Sequence, residues 1–148
     1  MAAGFVLGLN AKAYRNTGSY ASPTWVEMTN IKDLSLELST GEADVSTRGS
    51  SWELMASTLF KANVTFNMIW DPADATFAAV LAAFLARSVF EVLVLDGSRT
   101  VAGNQGLRAE CNVFSATRNE PLTGALEAAV TLKPTRTTNG APTWFTAA

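Results

Sequence analysis

The side chains that most often carry chemistry are scarce in this sequence. It contains no histidine, which excludes Ser-His-Asp and Cys-His catalytic arrangements and the usual zinc sites. Its one cysteine, Cys111, lies in a strand-like run with Ala109 and Val113 on the same side. We therefore interpret Cys111 as a small core residue and not as a nucleophile. The sequence predicts no enzyme activity, no metal site and no other cofactor.

Two further patterns have ordinary structural explanations. Asp71 and Asp74 could form a pair of carboxylates for acid–base chemistry, but they flank Pro72 where a helix begins, and capping of that helix explains them better. The run GNQG at positions 103–106 lacks the Lys-Ser/Thr of a phosphate-binding loop and opens no helix. It is predicted to be a turn.

Composition limits the possible partners. The 148 residues fit one domain, 1–148, with one core. Only 16% of residues are charged, below the usual quarter, so we expect neighbouring molecules to cover part of the surface. A net charge of -2 gives no basis for tight phosphate binding. Residues 1–9 lack a basic leader, no run is long enough to span a bilayer, and the single cysteine predicts a reducing compartment.

Alternating apolar residues predict a mainly β fold. Ile31 to Leu38 and Ala62 to Trp70 each alternate apolar with polar side chains, as half-buried strands do, and they are expected to pair with each other. Val89 to Leu95 is apolar on nearly both faces, which predicts a central strand. Further strands are predicted at Ala11 to Tyr14, Thr24 to Glu27, Leu107 to Arg118 and Leu122 to Lys133.

One helix is predicted between these strands, from Pro72 to Arg87. Asp71 is the expected N-cap, followed by a proline in the first turn. Apolar side chains then recur at helical spacing and predict one buried stripe. Its members are Phe77, Val80, Leu81, Phe84 and Leu85.

The remaining segments predict extensions from the core. Residues 40–59 form a long excursion rich in Gly, Ser and Thr, which indicates a loop ordered by a partner surface, because it also carries four apolar side chains: Trp52, Leu54, Met55 and Leu59. Two extended arms are predicted as well. The N-terminal arm covers residues 1–23 and includes the first strand, and the C-terminal arm covers residues 134–148 and carries Trp144 and Phe145. The predicted fold is a β-sandwich or open barrel of about seven or eight strands with one flanking helix and these extensions.

A resemblance to a known family rests on the order of these parts. The stretch Gly41 to Arg48 reads GEADVSTR and directly follows the strand-like run 31–38. Trp25 precedes this stretch. After it come a run that ends in Trp70, the helix, the run 89–95 and the closing hairpin. From about Trp25 to Lys133 the sequence resembles the tail tube proteins of bacteriophages.

The resemblance implies a structural subunit that closes into hexameric rings, which stack into a hollow tube for genome delivery. In that family, strands of all subunits form one barrel around the channel, and the mid-chain loop and the arms contact neighbouring rings. It further implies assembly in the host cytoplasm, a final place in the virion tail, and contact with other tail proteins such as the tape measure and the tail terminator. Viral DNA would pass without specific binding, and no membrane is involved.

The family's loop contacts fall on Asp44, Ser46, Thr47, Arg48 and Trp52 in this chain. We expect Asp44 and Arg48 to make interchain hydrogen bonds or ion pairs and Trp52 to bury against a neighbouring subunit. Three further apolar side chains are expected to contact other subunits: Leu54, Trp144 and Phe145. The alternative is a solvated loop whose tryptophan folds back on its own core.

Four acidic residues are candidates to face the channel, where like charge would repel DNA: Asp33, Glu37, Glu110 and Glu127. The alternative is that they face the outer solvent, with Arg108 cancelling part of the field.

Other functions also remain open. One is another tail or head-to-tail component of related fold, and the other is a small β-barrel that binds an apolar ligand as a monomer.

Overall fold

The computed structural model describes residues 5–148, and residues 1–4 of the predicted N-terminal arm lie outside that range. After a short 3-10 turn at Gly8–Asn10, the described chain forms eight strands and one α-helix. These are β1 (Lys12–Asn16), β2 (Trp25–Glu27), β3 (Ile31–Asp44), β4 (Met55–Ile69), α1 (Ala75–Ala86), β5 (Phe90–Leu95), β6 (Gln105–Asn119), β7 (Glu127–Pro134) and β8 (Thr143–Thr146). The mainly β class with a single helix is confirmed.

The strands form one antiparallel sheet with the order β2-β1-β5-β6-β7-β4-β3, and β8 pairs with β6. The predicted closing hairpin is present as β6 and β7. β6 changes partners along its length. It pairs with β5 over residues 106–111 and with β7 over residues 111–119, so it joins the two halves of the sheet.

One face of the sheet, here called the core face, packs into a continuous apolar core together with α1. All six residues of β5 are buried, which confirms the prediction of a central strand. Gly106 is required where β6 meets β5, because a Cβ there would lie 1.6 Å from the carbonyl oxygen of Val94. The largest fully buried core side chains include Met68, Val64, Val92, Val130 and Leu132.

The opposite face, here called the open face, divides into two parts. Over β1 and β5 it carries a small apolar cluster of Tyr14, Leu93 and Leu95, with Trp25 and Phe145 packed against them. Over β3, β4 and β7 it is polar, because the side chains that alternate with the core residues there are mainly Asn, Ser, Thr and charged groups. This polar part has no covering layer among residues 5–148.

The predicted mid-chain loop of residues 40–59 needs correction. β3 continues to Asp44 and β4 begins at Met55, so these strands form a long hairpin and only residues 45–54 lie outside them. Alternation did not reveal the outer half of the hairpin, because it is exposed on both faces and a bulge shifts its register beyond Thr40. Gly41 fits this bulge, since a Cβ there would lie 2.3 Å from the Thr58 hydroxyl.

The start of the helix also needs correction. Asp74, not Asp71, is the N-cap: the backbone N–H of Phe77 donates to Asp74 Oδ2 at 3.0 Å. Asp71 instead closes the preceding turn, where its Oδ1 accepts from the N–H of Ala73 at 3.0 Å. The helix ends at Ala86, and Arg87 follows in the left-handed conformation with φ 54°.

The predicted buried stripe of α1 is only partly right. Phe77 and Val80 are buried, but the other buried helix residues are Thr76 and Ala83. Phe84 is 37% exposed and Leu85 is 71% exposed. The helix is apolar nearly all round, so its pattern could not specify which side faces the sheet. With 12 residues, this one helix of the described range 5–148 is too short to cross a bilayer.

Candidate functional site

The outer half of the β3–β4 hairpin has the most exposed apolar surface of the sheet. β7 pairs with β4 only from Val64 onward, so the strands beyond that point pair only with each other. Leu59 is 80% exposed and Phe60 is 91% exposed. Isolated two-stranded ribbons are marginally stable in water. This ribbon therefore has the composition of a surface that is buried in an assembly.

The turn at the end of the ribbon, residues 45–54, is closed by the polar side chains predicted for contact. The N–H of Ser46 donates to Asp44 Oδ1 at 2.8 Å, and the N–H of Leu54 donates to Ser46 Oγ at 2.8 Å. Thr47 Oγ1 accepts from the N–H of Gly49 at 3.3 Å. The hydrogen bonds from Ser46, first from its side chain and then from its backbone, hold the pKa of Asp44 below its ordinary value. These groups shape the turn within one chain.

Trp52 and Arg48 project from this turn. Trp52 is 76% exposed, so it does not fold back on its own core, and Leu54 beside it is 45% exposed. Arg48 is exposed as well. The predicted contact of these side chains with other subunits stays a prediction, and their exposure leaves them accessible for it.

The C-terminal segment, predicted to be an extended arm over residues 134–148, is docked on the sheet of its own chain. β8 pairs with the start of β6, and the N–H of Ala147 donates to the carbonyl oxygen of Asn104 at 2.7 Å. Phe145 is half-buried in the open-face cluster of its own chain. Trp144 stays half-exposed, and its Nε1 donates to Gln105 Oε1 at 2.9 Å. The two aromatics therefore differ, and only Trp144 offers a large accessible face.

A groove of about 740 Å³ lies between the hairpin and the C-terminal segment. We call it the base groove, because it lies where the ribbon leaves the sheet. Its lining is mainly apolar and includes Leu38, Leu59 and Phe60 from the hairpin, and Leu107, Pro142 and Trp144 from the other side.

The four candidate channel acids lie in different surroundings. Glu127 forms an ion pair with Lys32, and Asp33 accepts a hydrogen bond from Asn67 Nδ2 at 3.1 Å. Glu110 Oε1 accepts from the hydroxyl of Thr137 at 2.8 Å, and Glu37 is exposed on β3. By register, Glu37 and Glu127 share the polar open face with three lysines: Lys32, Lys61 and Lys133. That face is of mixed charge, which weakens any repulsion of DNA.

An ion pair on the same face fixes the loop after β1. Arg108 Nε donates to Glu91 Oε2 at 2.6 Å, and Arg108 NH2 donates to the carbonyl oxygen of Tyr20 at 2.7 Å. The guanidinium also lies 4.0 Å from the ring centroid of Tyr20. Asn16 Nδ2 donates to the other oxygen of Glu91 at 2.5 Å. Arg108 is therefore a structural residue held by its own chain.

The only cysteine is unsuited to chemistry. Cys111 is fully buried in the core, and burial, with a smaller contribution from Glu110, raises the pKa of its thiol to about 12. A thiol with that pKa is protonated at neutral pH and is a poor nucleophile. Among residues 5–148, no three Cys, Asp or Glu side chains are close enough together to hold a metal ion.

Several strand edges have no partner within the described chain, and two of them bound the strands β6-β7-β4-β3. β3 pairs only with β4, which leaves its other edge free over residues 31–44. β6 loses β5 after Cys111, so residues 112–119 pair with β7 on one side only. Such edges are templates for pairing with another chain. The sequence patterns did not locate these edges, and they singled out Leu59 but not the adjacent Phe60. Two adjacent bulky apolar residues in a polar segment were the available signal.

Comparison with solved structures shows where this fold occurs. No family model and no curated protein matches the chain. The fold is similar to that of a subunit in the tail of an empty gene transfer agent particle solved with C6 symmetry (TM-score 0.73, 14% identity, 94% of this chain and 98% of that chain). It is also similar to a chain in the virion of a native gene transfer agent particle (TM-score 0.68, 13% identity, 94% of this chain and 98% of that chain).

A third similar structure is the tail tube of phage SPP1 (TM-score 0.70, 12% identity, 86% of this chain and 74% of that chain). These identities are low, but the coverage of both chains is high. The chain therefore has the fold of phage-type tail tube subunits, which confirms the fold expected from the resemblance.

Proposed function

We propose that this protein is the structural subunit of a phage-type tail tube. Copies join into hexameric rings, the rings stack, and the resulting hollow tube carries the genome. The observation that supports this most strongly is the pair of free edges on one four-stranded part of the sheet, β6-β7-β4-β3. A protein that works as a monomer has no use for two such edges and usually protects them.

The directions of the strands fit closure by repetition. Every neighbouring pair in β6-β7-β4-β3 is antiparallel, so β6 and β3 at its two ends run in opposite directions. The β3 edge of one copy can therefore pair with the β6 edge of the next and keep the whole ladder antiparallel. This head-to-tail contact leads to a ring, and a closed barrel leaves no strand edge exposed. The C6 symmetry of the similar gene transfer agent tail favours six copies.

The polar open face of these four strands is the proposed channel wall. Its amides, hydroxyls and balanced charges provide no cluster of basic groups that would hold phosphates, so DNA can slide without specific binding. Glu37 and Glu127 lie on this wall under the proposal. The core face and α1 then lie on the outer side of the ring.

The proposed location is the virion tail, after assembly in the host cytoplasm and with no membrane involved. The partners are further copies of this chain, the DNA that passes through, and end components such as the tape measure and the tail terminator. The role is structural, without catalysis, and the inert Cys111 supports it. Interchain contacts at the hairpin turn and at Trp144 belong to the same proposal.

Negative-stain microscopy of the purified protein over a series of concentrations tests this function. Hollow rings or rods that appear above a threshold concentration are the expected result. Particles that stay small and uniform at every concentration would overturn it and would favour a monomeric β-barrel that binds an apolar ligand in the base groove. Mass photometry of the same samples gives the number of copies in a ring.

A further inference from the structure

The C-terminal end of α1 carries an apolar patch that stays exposed in the single chain. Phe84 and Leu85 project from the last turn of the helix, and Phe114 lies beside them at the bulge of β6. We call these three side chains the helix patch. Asn112 Nδ2 donates to the carbonyl oxygen of Arg87 at 3.3 Å, which ties the end of the helix to β6. The helix patch therefore stands where the free edge of β6 begins.

A second apolar surface lies beside the other free edge. A groove of about 480 Å³ runs between β3 and the part of the sheet where β5 ends and β6 begins. We call it the side groove. Leu34 and Leu36 line it from the core face of β3, and Val94 and Gly106 line it from the other side. Because β3 is the last strand of the sheet, the side groove lies next to the free β3 edge.

The pairing register places the helix patch and the side groove in the same row of the sheet. Leu36 lies opposite Val64 in the β3–β4 ladder. Val64 lies opposite Leu132, which in turn lies opposite Val113 of β6. A neighbouring copy whose β6 continues this row beside β3 brings its own Val113 next to Leu36. Its helix patch then lies over the core face of β3, because α1 packs on that face and the patch adjoins Val113.

The charges beside the two surfaces are opposite in sign. Arg87 borders the helix patch and is exposed, and it takes part in no ion pair within residues 5–148. Asp96 lines the side groove, where its Oδ1 accepts from the N–H of Gln105 at 2.9 Å. A carboxylate held in place in this way is a suitable partner for a guanidinium. Complementary charges of this kind fix the orientation of a contact more than they add affinity.

We propose that the helix patch of one copy inserts into the side groove of the next copy in the same ring, with Leu85 against Leu34 and Leu36 and with Arg87 near Asp96. Backbone pairing between strands that are polar on their free edge specifies the register only weakly. The inserted side chains supply the missing specificity, because a slip of the strands removes the patch from the groove. This inference rests on the proposed tube function and assigns the side-chain contact that sets the register between neighbours.

Chemical cross-linking between two populations with one added cysteine each tests the contact. Leu85→Cys supplies a thiol in the helix patch, Ala11→Cys supplies one in the lining of the side groove, and tags of different mass mark the populations. A short bis-maleimide joins thiols that lie close together. Native Cys111 is fully buried, so it contributes no background. The matched control replaces Leu85→Cys by Leu122→Cys, because Leu122 is fully exposed but lies outside the helix patch.

The populations are mixed as dilute monomers, concentrated to allow assembly and then cross-linked. At least a tenfold excess of heterodimer over the control pair is the expected result. Rings or tubes in the microscope without that excess overturn the patch-and-groove contact and leave the tube function intact. An excess without any rings or tubes supports the contact and overturns the tube function. Neither heterodimer nor tubes at any concentration overturns both.

A chain that carries both Leu85→Cys and Ala11→Cys distinguishes a contact within a ring from a contact between rings. A head-to-tail contact that closes within one ring gives a ladder of cross-linked chains that ends at the number of copies in a ring. Mass photometry supplies that number independently. A ladder that continues beyond it places the contact between rings and contradicts the proposal.

A charge reversal adds a second readout. Arg87→Glu in the helix population should lower the yield of heterodimer severalfold at low salt, because it sets two carboxylates against each other. Asp96→Asn in the groove population should restore the yield, since the amide oxygen can still accept from the N–H of Gln105 while the repulsion is removed. If Arg87→Glu leaves the yield unchanged at low salt, the proposed orientation of the patch in the groove is wrong.

Discussion

The two halves of β4 show how one strand serves two purposes. From Ala62 to Ile69 its alternate side chains enter the core, and Val64, Phe66 and Met68 are all buried. From Met55 to Lys61 every residue is exposed, although the segment contains Leu59 and Phe60. Residues 62–69 therefore stabilise the monomer. Residues 55–61 expose apolar surface to water, and this surface contributes no folding free energy within its own chain.

This difference indicates which substitutions affect folding and which affect assembly. Burial of apolar area is the main source of folding free energy, and at Leu59 that burial is almost absent within one chain. Under the proposed function, this side chain contributes through a contact with another copy of the chain and not through folding. We call the part of the sheet that packs on the core the body, and the outer half of the β3–β4 hairpin the ribbon. Mutations in the body are therefore expected to lower the free energy of unfolding, whereas mutations in the ribbon are expected to weaken assembly.

The largest contrast is expected between Leu132→Ala and Leu59→Ala. Leu132 is fully buried, so its truncation should lower the free energy of unfolding by about 2.7–5 kcal/mol. Leu59 is 80% exposed, and its truncation should change that free energy by less than about 0.5 kcal/mol. Urea denaturation of both variants in dilute solution measures the two values. Equal losses would remove the distinction between body and ribbon.

Within the body, Arg108→Met should lower the free energy of unfolding by about 2–3 kcal/mol, because it leaves the Glu91 carboxylate without its cation. The matched control is Arg118→Met, whose ion pair with Glu120 is more than half exposed on both sides and should contribute at most about 1 kcal/mol. The double variant Arg108→Met with Glu91→Leu should recover part of the loss. Thermal unfolding followed by circular dichroism compares the three, and equal effects of the two single variants would contradict this reading.

Within the ribbon, Trp52→Ala should leave a folded monomer that no longer polymerises. Loss of an interface hot spot of about 2 kcal/mol raises the concentration at which assembly begins by roughly thirtyfold. Light scattering over a concentration series measures that threshold, with Val101→Ala as a control at another exposed apolar position. Tubes of normal length from Trp52→Ala at the wild-type threshold would refute the role of this side chain.

The smallest effect on stability is expected from Asp44, in the turn at the end of the ribbon. The pKa of Asp44 is lowered in the folded chain, so its contribution is complete above the ordinary value of 3.8 and is lost as pH falls through the lowered value. The amide of Ser46, which donates to this carboxylate, should report the change by NMR with a midpoint below 3.8. Asp44→Asn is the control without titration. A midpoint above 3.8 would mean that the hydrogen bond does not stabilise the ionised form.

Sequence alone predicted the strands that are buried on at least one face. The alternation of residues 62–70 and the continuous apolar run of β5 correspond to observed strands, because burial imposes a period of two or a fully apolar segment. The ribbon was missed for the same reason. With both faces in water, its strands carry no alternation, and a segment rich in Gly, Ser and Thr has the composition of a loop.

The candidate site was predicted in part. Trp52 and Trp144 were identified from composition and are exposed, but Phe145 packs in its own chain, which no local pattern could indicate. The helix stripe failed at Phe84 and Leu85 because an apolar and alanine-rich helix gives no directional signal. The free edges of β3 and β6 depend on which strands pair over which residues, and pairing is a property of the whole topology.

Hydrogen exchange followed by mass spectrometry, on dilute monomer and on assembled protein, addresses directly whether one copy is incomplete without others. We expect the amides of the β3 edge and of residues 40–59 to exchange rapidly in the monomer and to become protected on assembly. Those of β5 should be protected in both states, because the whole strand is buried. Protection of residues 40–59 in the dilute monomer equal to that of β5 would contradict the proposal that sister copies complete this fold.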